Sequence, residues 1–150
     1  MISKVLVATD GSETSRKAVV YAIELAKLAR GSLIAVTVID RSAFVGSPLI
    51  PASATPAHIL EPVEDYLKGI AQKDLDDIEA LCRKAGVESQ VKTLYGHPVE
   101  QIVREAESSG VDLIVMGPHG RSALEAALLG STTFGVIHKD TKIPVLVVRK

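Results

Sequence analysis

The apolar positions of this chain fall into two kinds of run. Val5-Leu6-Val7-Ala8, Leu33 to Ile39, Leu113 to Met116 and Val145-Leu146-Val147-Val148 are short and nearly continuous, as suits parallel strands covered on both faces. Elsewhere the apolar residues recur at helical spacing. Ala18, Val19, Ala22, Ile23, Leu25, Ala26 and Ala29 mark one helix face, Val63, Leu67, Ile70, Ile78, Leu81 and Cys82 a second, and Val99, Ile102, Val103 and Ala106 a third. Ser12 or Thr14 caps the first helix and Gly31 stops it. The second runs from about Pro62 to Ala85, with Gly69 as a weak interior point and Gly86 as its stop. The third carries Pro98 in its first turn, with His97 as a turn residue before it, and ends at Gly110. Ser89 to Tyr95 alternates polar and apolar residues instead, which places it at a sheet edge with one face exposed.

The stretch after Met116 breaks this alternation of strands and helices. Gly117 and Gly120 follow the fourth strand, and Gly130 precedes Ser131-Thr132-Thr133. Glycines at 117 and 120 can take positive φ and let a polyanion approach the main chain. Gly130-Ser131 opens a helix, where unpaired N–H groups and the positive dipole end attract phosphate, and the hydroxyls of Ser131, Thr132 and Thr133 add donors. His119 and Arg121 lie in the same loop, where a cation can reach phosphate oxygens. The plain alternative is two ordinary turns, with a glycine after a strand, a glycine after a short helix over Ala123 to Leu129, and a serine cap for the helix over Thr132 to Lys139. Asp10 and Asp40 end the first two strands, beyond which ligands bind in open α/β sheets. Either aspartate can instead cap the turn that follows it.

Gly-x-x-Gly, nine residues, then Gly-Ser resembles the nucleotide-binding signature of the universal stress protein family. The resemblance extends to Val7-Ala8-Thr9-Asp10-Gly11-Ser12, Val38-Ile39-Asp40, Gly96-His97-Pro98 and the terminal Pro144 to Val148. It implies one universal stress protein domain over residues 1–150: an α/β, Rossmann-like, doubly wound domain with a five-stranded parallel sheet of order 3-2-1-4-5 and helices on both faces. It also implies an ATP-binding protein of stress adaptation. Ala8, Thr9, Asp10, Val38, Met116, Gly117, His119, Gly120, Arg121, Gly130, Ser131, Thr132 and Thr133 would form the pocket for ATP, ADP or AMP, with Val38 offering main-chain groups to adenine and Mg²⁺ bridging the phosphates. A homodimer is implied as well, and the apolar edge strand Val145-Leu146-Val147-Val148 is the surface that a symmetry mate would cover. The chain departs from the family pattern in two places. Pro118 removes a backbone donor from the Gly-x-x-Gly turn, and Thr132-Thr133-Phe134 follows Gly130-Ser131 where an apolar, hydroxyl, then acidic or amide run is usual.

Composition narrows the remaining possibilities. With 47% hydrophobic residues but 3% aromatic and no Trp, the core is aliphatic, and so is the setting of any base. A net charge of -1 with mixed signs gives no nucleic-acid surface, and no apolar run is long enough to span a membrane, so a cytoplasmic protein is expected. Cys82 is the sole cysteine, so no disulfide or cysteine metal cluster forms within the chain, and its apolar helical setting makes it a buried structural thiol. Asp74, Asp76, Asp77 and Glu79 spread round a helix and read as its solvated face rather than as a metal site. Residues 41–57, with Pro48, Pro51 and Pro56, read as a long loop in which Phe44, Leu49 and Ile50 can cover a ligand or partner. The Walker and dinucleotide glycine patterns are missing, as is a Gly-x-Ser-x-Gly nucleophile turn, so no catalytic residue is assigned. The expectation is a nucleotide-binding regulator with at most slow hydrolysis. The alternatives are a genuine ATPase and a dimeric interaction module with a vestigial pocket.

Overall fold

Strand β1 (Lys4–Ala8) lies at the centre of a five-stranded parallel sheet, because it is almost wholly apolar and pairs on both sides: Leu6 opposes Ile34 on one flank and Ile114 on the other. The computed structural model describes residues 1–44, 56–120 and 129–149. Along these the order is β1, α1 (Glu13–Leu28), β2 (Ser32–Ile39), a short 3₁₀ turn (Arg41–Phe44), α2 (Pro56–Ala85), β3 (Glu88–Tyr95), α3 (Pro98–Ser108), β4 (Leu113–Met116), α4 (Ser131–Ile137) and β5 (Val145–Val147). The sheet order is β3-β2-β1-β4-β5, as the resemblance implies.

Successive residues of each strand face opposite sides, which divides the core in two. Val5, Val7, Leu33, Ala35 and Val115 pack under α1 and α2, whereas Leu6, Ile34, Val36, Ile114 and Met116 pack under α3 and α4. Truncating a fully buried side chain such as Leu6 or Ile114 to alanine costs about 2–5 kcal/mol. Strand β3 is the edge that its alternation predicts, and Lys92 ties it to Glu105 of α3. Cys82 is buried and unbridged, and burial pushes its thiol pKa up.

Two element ends differ from expectation. α2 begins at Pro56, six residues before Pro62, which sits inside the helix. Both prolines are compatible with a first helical position, and the chain starts at the earlier one. At the end of α1 the left-handed residue is Arg30 (φ 52°), not Gly31. Gly31 is needed for contact instead, since a Cβ there would overlap the Ser3 carbonyl oxygen. Ser12 caps α1 by accepting the Ser15 N–H. The sequence expectations for Pro48, Leu49, Ile50, Pro51, Arg121 and most of the short helix over 123–129 lie outside the described residues, as do the side-chain contacts of Phe44.

Candidate functional site

The chain leaves β1 toward α1 on one face of the sheet and leaves β4 toward α4 on the other. Between those diverging loops a crevice opens at the carboxyl ends of the strands, the switch point of a doubly wound sheet. It holds a cavity of about 400 Å³. Ala8, Thr9, Asp10, Val38, Met116, Gly117, His119, Gly120, Gly130, Ser131, Thr132 and Thr133 all line it, so the structure brings together every candidate residue it describes. Ser15, Val36, Pro98, Ile102 and Leu129 join them. Sequence reasoning assigned Pro98 and Ile102 to the start and buried face of α3. No local signal shows that this face reaches the sheet end.

One wall of the cavity is apolar. Val36, Ile102 and Met116 come from the core layer under α3 and α4, and Val38 packs against it. Val38 also has its main chain turned into the gap. The Val36 carbonyl accepts the Thr9 N–H and so faces β1, while the Ile39 carbonyl accepts the Gly96 N–H and faces β3. Residues two apart on a strand share a hydrogen-bonding side. Val38 therefore points its N–H and C=O toward β1, which has already ended at Ala8.

The opposite wall is polar and built on glycines, though not for the reason expected. Gly117, Gly120 and Gly130 do not take positive φ, and Gly130 is the extended N-cap of α4 (φ -69°). Gly117 and Gly130 stand at close approaches of main chain, and Gly120 beside a carboxylate that can swing aside. A Cβ on Gly117 would lie 3.1 Å from the Thr14 carbonyl oxygen, one on Gly120 would overlap the Asp10 carboxylate, and one on Gly130 would lie 2.9 Å from the His119 Cα. Gly117 thus lets the β4 loop close against the first turn of α1. In the β1 loop, Gly11 is the residue in the left-handed region (φ 77°).

Hydrogen bonds then fix the loop. The Gly117 carbonyl accepts from Thr133 Oγ1 at 2.9 Å, the Pro118 carbonyl from the Gly130 N–H at 2.7 Å, and the His119 carbonyl from Thr14 Oγ1 at 2.9 Å. Three consecutive carbonyls are tied to protein donors and so are not left facing a ligand. Two expectations are corrected here. The Thr133 hydroxyl is buried and serves the Gly117 carbonyl, so it is not a donor for a ligand. Gly130, not a serine, caps α4 and contributes no side-chain acceptor, and the first N–H groups of a helix have no partner within it.

The remaining departures are accommodated. Pro118 lacks an N–H, but its carbonyl anchors Gly130. Phe134 stands outside the cavity wall and stacks on His138 with ring centroids 4.0 Å apart. Asp40 caps its turn, accepting the N–H of Ser42 at 2.9 Å. Asp10 does the same for Ser12 at 2.9 Å while also lining the cavity, so its two readings are compatible. Thr9 is largely occupied, with its hydroxyl bonded to Ser15 and the Gly11 N–H and its carbonyl accepting from Thr37. A second cavity of about 550 Å³ adjoins the first across Asp10, Val38 and Thr132. Its wall adds Asp40 and Asp74, carboxylates that would repel a phosphate.

Comparison with known proteins agrees with this geometry. Universal stress protein MJ0531 of Methanocaldococcus jannaschii is 37% identical over 150 residues, covering 100% of this chain and 84% of its own length. The solved structure of MJ0577, a universal stress protein of the same organism, superposes with a TM-score of 0.85 at 31% identity, covering 100% of this chain and 97% of that one. A universal stress protein solved in complex with cAMP matches at 26% identity and a TM-score of 0.66, covering 99% and 97%. With the sequence model of the Universal stress protein family matching residues 1–149, the glycine spacing, the sheet order and the crevice have one common explanation: this chain belongs to the universal stress protein family.

Proposed function

We propose that this protein binds an adenine nucleotide in the crevice at the ends of β1, β2 and β4 and acts as a regulator in stress adaptation rather than as an efficient enzyme. The observation that carries the reading is the pairing of an apolar slot beside the open main chain of Val38 with a glycine loop whose carbonyls are tied back at the far side. The slot suits a base. The loop and the start of α4 suit phosphates, with Ser131 and Thr132 as the hydroxyl donors and a bridging Mg²⁺ to offset the remaining charge. A cavity of about 400 Å³ falls within the usual range for small-molecule sites. The cAMP complex of a relative supports the same ligand class.

Adenine is preferred because its pairing edge offers one acceptor and one donor, which match the N–H and C=O of Val38. Guanine reverses the two, leaving like groups opposed and buried polar atoms unpaired, a mismatch that costs affinity. Calorimetric titration with ATP or ADP in the presence of Mg²⁺ should show saturable binding, with GTP at least about tenfold weaker. Equal binding of GTP would remove the adenine assignment.

The protein acts in the cytoplasm as a homodimer joined through the edge strand β5 and Val148. Among the described residues the strand is paired along one edge alone, and its residues are only partly buried within the protomer. Sedimentation should give a dimer that Val147→Lys dissociates; a monomeric parent would refute this assembly.

A further inference from the structure

Thr14 is not part of the cavity wall, but its hydroxyl joins the two loops that form it. Thr14 Oγ1 donates to the His119 carbonyl at 2.9 Å, across a sequence separation of 105. That carbonyl has no proton to give, so the single Thr14 proton is committed there. The 3.3 Å contact between Ser12 Oγ and Thr14 Oγ1 must then run from Ser12 to Thr14. Ser12 Oγ in turn accepts the Ser15 N–H at 3.3 Å. The N-cap of α1 is thereby connected, hydroxyl by hydroxyl, to the glycine loop of β4.

We propose that Thr14 is a positioning residue for the phosphate end of the ligand. Its bond sets the orientation of one peptide unit. The His119 C=O and the Gly120 N–H belong to the same trans peptide and point in opposite directions. Holding the carbonyl toward α1 turns the Gly120 N–H away from α1, toward the side where α4 begins: the Gly120 nitrogen lies 3.5 Å from the place a Gly130 Cβ would occupy. The latch therefore aims a main-chain donor into the space between loop and helix. Close approach is part of the same device, since Gly117 makes room for the Thr14 carbonyl and Gly120 for the Asp10 carboxylate. A residue at 14 without a hydroxyl would leave the His119–Gly120 peptide free to rotate and the donor unaimed.

This inference rests on the adenine-nucleotide reading, and the test separates the two. ADP and adenosine are titrated into the parent, Thr14→Val and Thr14→Ser. Loss of one positioning hydrogen bond should weaken ADP about tenfold in Thr14→Val. Adenosine, which has no phosphate, should bind as to the parent, and Thr14→Ser should restore ADP binding. If ADP and adenosine weaken together, Thr14 supports the fold in general; if neither weakens, the latch is idle. Either result overturns the proposal. A parent that binds neither compound refutes the nucleotide reading by itself, and the NMR resonances of the His119–Gly120 peptide without ligand then decide the latch. Thr14→Val should shift the His119 carbonyl carbon and Gly120 amide nitrogen while the β1 and β4 resonances stay as in the parent. Unchanged resonances of that peptide would overturn the latch, and shifts spread over the whole sheet would reassign Thr14 to fold stability.

Discussion

The glycines of the cavity wall and the glycine that stops α2 are the same residue put to opposite physical uses. Gly86 has φ 75° and open space where a Cβ would go, so it is there for handedness. Gly117 and Gly130 have ordinary backbone angles and main chain where a Cβ would go, so they are there for contact. A handedness glycine affects stability alone, because nothing touches it. A contact glycine affects whatever the touching surfaces build, and here they build the crevice. The difference separates two kinds of mutational effect that sequence inspection would treat alike.

The sharpest way to break that comparison is Gly130→Val. Its side chain must displace the His119 main chain, at a stability cost of about 1–3 kcal/mol. A shift of the loop that unmakes its polar contacts to the phosphates should cost more than about tenfold in nucleotide affinity. Melting temperature and ADP affinity measured on the same variant check both. If affinity falls only in step with stability, the contact glycines have no special role in the site.

Gly86→Val should give the contrasting result. A β-branched residue in the left-handed region costs about 1–2 kcal/mol, read as a lower melting temperature, with ADP affinity unchanged. Weakened binding by this variant would erase the distinction between the two uses.

Arg30→Gly reverses the sign. Arg30 occupies φ 52° at the end of α1, a conformation that an L side chain pays strain to hold, and glycine relieves that strain while adding some unfolded-state entropy. A net gain of about 0.5–1 kcal/mol in chemical denaturation is expected. A loss would show that the Arg30 side chain contributes more than its backbone costs.

The smallest effect belongs to Asp112, at the opposite end of the sheet from the crevice. The Ser3 and Lys4 N–H groups and the Ser3 hydroxyl hold its carboxyl below the usual range. A group whose folded pKa is lowered stabilises the protein above its unfolded pKa and loses that contribution as pH falls through the folded value. Asp112→Asn should therefore be slightly less stable than the parent near neutrality, with the gap closing as pH falls through and below the ordinary aspartate range. A gap that persists at low pH would place the loss in packing rather than in charge.

Much of this architecture was legible in the residues. The apolar runs at 5–8, 33–39 and 113–116 are strands because both their faces are covered, and covering both faces demands continuous hydrophobicity. The alternation at 89–95 marked an edge for the converse reason. The spacing Gly117, Gly120, Gly130-Ser131 carried the family resemblance, and the described members of that set line one cavity. What the sequence could not state was the purpose of those glycines. Positive φ is a local property that a turn pattern can suggest, whereas close approach depends on what lies opposite. The Thr14 carbonyl and the Asp10 carboxylate reach Gly117 and Gly120 from more than one hundred residues away in the chain. For the same reason Pro98 and Ile102, read as the start and inner face of a helix, became cavity wall only once α3 was laid over the end of the sheet. The Thr133 hydroxyl became a brace for Gly117 rather than a donor to the ligand. Periodicity and spacing set the elements and the chemistry available. Which atoms face the crevice is decided by contacts between segments distant in sequence, and local pattern carries no record of those.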